Sequence, residues 1–168
     1  MKSKKICVTV ILLMTVSGCG SPDDYTIPTG ICDRFIDPNS LKPLLPSGKN
    51  FEASQRSAEK EDSRCVISID KSVTLYINEY RDQKKFDVMS FAESRNRFIH
   101  LEKSKTGDDT VIADGKLLSM NACPRRGAKS YYILDITLTD SKSSKEQREN
   151  LDRFAASYLP TGLKAMEC

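Results

Sequence analysis

The 168-residue chain predicts an α+β domain with a single antiparallel sheet of about five or six strands, two main helices, a short N-terminal helix and two disulfides. Three observations carry this expectation. Runs such as Val73, Leu75, Ile77 and Tyr132, Leu134, Ile136, Leu138 alternate with the period of a half-buried strand. Asp70-Lys71-Ser72 and Asp114-Gly115 supply turns between such runs, which makes the neighbouring strands hairpin arms and therefore antiparallel. Segments that open at Asp87 and Ser144 instead space their apolar residues as helices do.

In chain order, residues 1–18 read as a secretory leader: Lys2, Lys4 and Lys5, the apolar run Ile6–Val16, then the small Ser17 and Gly18. That run is only 11 residues long, short of the roughly 20 that a membrane-spanning helix needs, so cleavage is expected. The tetrapeptide Val16-Ser17-Gly18-Cys19 resembles the lipobox of bacterial lipoproteins, in which the cysteine is joined to a diacylglyceryl group and left as the first residue. That resemblance implies lipidation at Cys19, a membrane partner reached through the anchor, and a domain facing the extracytoplasmic side of the cell membrane. Two or three acyl chains, at about 0.8 kcal/mol per buried methylene, suffice for durable attachment. An ordinary signal peptide with a structural Cys19 is the competing reading. Residues 19–30, with Pro22, Asp23, Asp24, Pro28 and Gly30, are expected to be a flexible tether with a reach of about 20 Å. Residues 31–168 are then a single domain.

Within that domain, Asp37 is placed to cap a short helix with Pro38 at its first position and Leu41, Leu44 and Leu45 on its apolar face. Pro43 limits it to one or two turns. Phe51, Ala53 and Gln55 form a weak strand, and Ser54 to Arg64 reads as a charged loop. Cys65, Ile67 and Ile69 then face one way, and the turn at Asp70 leads into Val73, Leu75 and Ile77. Asp87 caps the next helix, with Phe86 and Phe91 as a hydrophobic staple and Val88, Phe91, Ala92, Phe98 and Ile99 on one stripe. Glu93, Arg95, Asn96 and Arg97 make its solvated side. Ser144-Lys145-Glu146-Gln147 is a capping box before Leu151, Phe154, Ala155, Tyr158 and Leu159, and Pro160 is expected to end that helix. No internal repeat is evident.

Without the three leader lysines the 26 basic residues fall to 23, equal to the 23 acids. A mature net charge of zero removes any general electrostatic case for nucleic acid. Six cysteines become four once Cys7 leaves with the leader and Cys19 is acylated, and an even set in an exported chain implies two disulfides. Four cysteines allow three pairings; bonding between chain neighbours, Cys32 to Cys65 and Cys123 to Cys168, is preferred. The gaps of 33, 58 and 45 residues between them lack the close pairs of a zinc site, so no metal and no cofactor is expected.

The segment Cys32-Asp33, Ile36-Asp37-Pro38, Leu41 and Leu44-Leu45, followed by Cys65-Val66-Ile67, resembles the opening of small actinobacterial lipoproteins of unknown function. The likeness covers the first third of the mature chain, and the aromatic that often follows the second cysteine is absent here. It implies a Cys32 to Cys65 bond and, since that family has no assigned activity, no functional residues.

Candidate sites are sparse. His100 is the sole histidine, no serine stands in a G-x-S-x-G elbow, and no thiol is left free, so a nucleophilic relay is not expected. The acid pairs Asp23-Asp24, Glu61-Asp62 and Asp108-Asp109 lie in loop-like stretches and are expected to be hydrated. Arg125 and Arg126, on a turn constrained by Cys123 and Pro124, are the best candidate for binding a carboxylate or phosphate. Tyr76 and Tyr80 share one side of a strand and are expected beneath a helix. The functional expectation is a non-enzymatic binding or interaction module, its partner an envelope protein or a small ligand. The alternatives are a small lipid-anchored hydrolase with carboxylates that converge only in the fold, and an accessory subunit of an envelope complex.

Overall fold

The computed structural model describes residues 25–57, 61–95 and 98–168. The expected leader, Cys19 with its expected lipidation, Asp23-Asp24 and the pair Asn96 and Arg97 lie outside the described residues. The folded body begins earlier than the expected tether allows, because Tyr25 and Ile27 are both buried. The Tyr25 ring stacks on Phe51, lies under the Lys42 ammonium, and donates its hydroxyl to the Pro46 carbonyl. Two apolar side chains in an otherwise polar stretch were enough to dock it.

A small ribbon of β1 (Gly30–Ile31) and β2 (Arg34–Phe35) precedes α1 (Pro38–Leu41), which Asp37 caps by accepting from the Asn39 amide. Among the described residues, seven strands make one antiparallel sheet in the order β3-β4-β5-β9-β8-β7-β6. They are β3 (Phe51–Ser57), β4 (Asp62–Ile69), β5 (Ser72–Gln83), β6 (Glu102–Ser104), β7 (Asp109–Ala113), β8 (Lys116–Ala122) and β9 (Tyr131–Leu138). The α+β class and both disulfides agree with expectation, Cys32–Cys65 and Cys123–Cys168 each being formed. The strand count does not. The expected charged loop is mostly the facing arms of β3 and β4, and β6 is a polar edge strand that exists through pairing with β7 rather than through any alternation of its own.

Two helices also differ from expectation. The middle one, α2 (Val88–Glu93), stops well before Phe98 and Ile99, leaving Phe98 packed as a loop residue and Ile99 exposed. The last one, α3 (Lys145–Ala165), continues through Pro160. Proline costs that helix a backbone hydrogen bond, but Gly162 and Met166 beyond it are buried and Cys168 is bonded to Cys123, so tertiary contacts hold the final turns. Ser144 caps α3 by accepting from the Gln147 amide, yet the reciprocal half of the capping box is absent: the Ser144 amide donates to the Lys142 carbonyl, and Gln147 Oε1 has no partner.

The sheet thus has two unlike faces. One is covered by α3 and the N-terminal segment, whose Ile31, Ile36, Leu41 and Leu44 share the main core with Ile67, Leu75, Ile77, Leu134, Ile136, Phe154 and Tyr158. The other carries a smaller core of Val88, Ala92, Val111, Leu118, Met120 and Ile133. There α2 packs on β7 and β8. Toward β3 and β4 that face is more open, with Glu52, Ser54 and Arg64 exposed, while Tyr80 of β5 packs against the smaller core. No described helix is long and apolar enough to cross a membrane.

Candidate functional site

Cross-strand partners in an antiparallel sheet share a face, and the register here draws one row across the α2 face. Arg64 of β4 lies opposite Asn78 of β5, Asn78 opposite Asp135 of β9, and Asp135 opposite Leu118 of β8. Arg64 Nε donates to Asn78 Oδ1 at 2.7 Å. Thr137 Oγ1 donates to Asp135 Oδ1 at 3.3 Å, and Lys116 Nζ donates to Thr137 Oγ1 at 3.3 Å. Tyr76 and Tyr80 stand on the same face of β5, both half-buried, and Tyr80 packs against the smaller core that includes Val88 and Ala92 of α2.

Where this row meets α2 it forms the floor of an open cleft of about 480 Å³, lined by Phe91, Ser94, Arg95, Phe98, Lys116, Leu118 and Asp135. Asp87 sets the wall by capping α2, accepting from the Ser90 amide, and this orients Phe91. The Arg95 guanidinium lies over the Phe91 ring at 4.7 Å, and the Lys116 ammonium lies 5.7 Å from the Phe98 ring centroid. Burial pushes the Asp135 carboxyl above the ordinary carboxylate range, while Lys116, Thr137, Asn78 and Arg64 pull it back. A concave, partly apolar hollow with a few convergent polar groups and a perturbed acid is the usual form of a ligand site. Chemically the cleft offers an acceptor, cationic donors and ring surface. Asp135 is the single carboxylate in its lining.

The residues proposed from sequence are placed elsewhere. Arg126 is 3.2 Å from Asp82 and 3.4 Å from Glu167, so this guanidinium already holds carboxylates of its own chain. Arg125 is exposed on the same short turn. His100 Nδ1 lies 2.6 Å from Asp114 Oδ2, and Ser143 Oγ lies 3.3 Å from that same nitrogen. A hydrolytic relay needs serine and carboxylate on opposite ring nitrogens, so these three do not form one. Ser143, His100 and Arg148 instead hold the Asp114 carboxyl down to about 2, and together they tie the β7–β8 turn to the start of α3. Asp108 accepts from the Ala122 amide and so braces β8, and Asp62 lines a separate hollow with Arg56 and Arg64. No group of three or more metal-ligating side chains is found among the described residues.

One constellation was missed. On the α3 face, Arg34 and Glu79 form a buried ion pair at 2.8 Å, with the Tyr132 hydroxyl donating to Glu79 at 2.9 Å. Glu79 raises the Arg34 pKa although burial alone would lower it, and burial followed by Glu79 raises that of Tyr132. Gly162 lets α3 approach: a Cβ there would sit 2.4 Å from the Tyr132 hydroxyl and 2.8 Å from Glu79 Oε1. The signal was present, since Glu79 continues the phase of Leu75 and Ile77 and is an acid on an apolar stripe. No family model matches the chain, and neither the curated proteins nor the solved structures contain a significant match.

Proposed function

We propose that this protein is a lipid-anchored binding module on the extracytoplasmic side of the cell membrane, and that its open α2 face receives a small polar ligand. The observation that carries the reading is the cleft itself: Asp135 of β9 and Lys116 of β8 converge beside Phe91 and Phe98 in a hollow with room for a ligand, and Asn78 and Arg64 continue the polar row away from it across β5 and β4. The leader and Val16-Ser17-Gly18-Cys19 support the address, and the disulfides suit an oxidising compartment. A hydrolase acting through paired carboxylates would want a second acid across the cleft from Asp135, and the lining residues supply none.

Two measurements test the parts separately. Replacing Cys19→Ser should move the protein from the membrane fraction to the soluble fraction; unchanged partitioning would end the anchor reading. Screening a fragment library by NMR against the protein in detergent should shift the amides of Lys116, Leu118 and Asp135 first. Perturbations concentrated on the α3 face would overturn the choice of cleft.

A further inference from the structure

The β1–β2 ribbon presents an aromatic side chain that the fold leaves uncovered. Phe35 is 66% exposed, while its neighbours Arg34 and Ile36 are buried. The ribbon is held firmly: Cys32 is bonded to Cys65, Arg34 to Glu79, and the Phe35 carbonyl accepts from Thr161 Oγ1 of α3 at 2.9 Å. Position in the chain says what could cover that ring. Between Cys19 and the buried Tyr25 lie only Gly20 to Asp24. Fully extended, such a link spans about 20 Å at most. A lipid-anchored Cys19 therefore keeps the side that carries Tyr25 close to the bilayer. The N-terminal segment and α3 both lie on one face of the sheet, and the cleft lies on the other.

From this we infer that Phe35 seats the domain on the lipid surface and turns the Asp135 cleft outward, an inference that rests on the proposed anchor. A Phe ring has no polar group to hold it in water, and on peripheral membrane segments it buries with other apolar side chains at the boundary between headgroups and acyl chains. Asp33 and Asp37 flank Phe35 and are exposed, so the contact is apolar and needs no anionic lipid.

The chain has no tryptophan, so Phe35→Trp and Phe91→Trp each report one face. Each full-length lipidated variant is reconstituted into phosphatidylcholine vesicles, with or without brominated acyl chains. Emission of F35W should be roughly halved by the brominated lipid, and that of F91W unchanged. Flotation of the vesicles runs alongside. If the protein floats and F35W is unquenched, the seat is wrong and the anchor stands. If F91W is quenched, the cleft does not face outward. If the protein fails to float, the anchor reading falls and takes the seat with it.

Discussion

Arg34 with Glu79 on the α3 face, and Arg64 with Asp135 on the α2 face, are the same chemical types set in two different surroundings. Under α3 the charges meet directly at 2.8 Å, and a tyrosine hydroxyl also bonds Glu79. On the α2 face Arg64 bonds an amide that lies between it and Asp135 in the cross-strand row, and Asp135 keeps an edge toward the cleft. A buried pair must be satisfied within the protein, because an uncompensated charge there costs several kcal/mol. A half-exposed row can leave bonding capacity for something else. The lesson is that charge in the sheet marks a site only where no helix completes its partners.

The largest effect should come from breaking the dry pair. Glu79→Ala leaves Arg34 buried without its carboxylate and should cost about 3–5 kcal/mol in guanidinium unfolding. The double replacement Arg34→Leu with Glu79→Leu should recover most of that loss. A single-variant cost within experimental error would mean the two faces are not different after all.

Gly162→Ala is next. Its methyl would press on the Tyr132 hydroxyl and Glu79, and a shift of α3 should cost about 1–3 kcal/mol by thermal or chemical unfolding. The smallest effect belongs to the open face. Burial raises the Asp135 pKa above 3.8, so the folded state holds its proton more tightly than the unfolded state, and stability falls as pH rises through that window. Asp135→Asn removes the term. Its stability relative to the unaltered protein should be highest at neutral pH, by less than about 1 kcal/mol, and should decline as pH falls toward the ordinary carboxylate range. Unfolding curves at several pH values check the sign, and a gain that grows toward acid pH would contradict the burial of Asp135.

Much of the fold was legible because its signals are local. Asp37, Asp87 and Ser144 cap helices through their own side chains, and the Asp-Gly turn and the alternation of β9 need no distant partner. The misreadings occurred where distant contacts override local preference: Pro160 inside α3, the arms of β3 and β4 in a charged stretch, and Tyr25 drawn into the core. The candidate site was the least legible part. Arg125 and Arg126 stood out because they are adjacent in sequence, whereas Arg64, Asn78 and Asp135 are scattered and become neighbours only through the sheet.

By itself the sequence determined the helix starts, the hairpin turns, the phase of the principal strands and an even set of cysteines for two disulfides. All of these depend on spacings within a few residues or on a count. Tertiary structure alone decided that β9 lies between β5 and β8, which charges are dry, and where the cleft opens. Periodicity records which side of its own strand a residue occupies. What stands opposite that residue depends on pairing between strands far apart in the chain, and on whether a helix comes to rest above them.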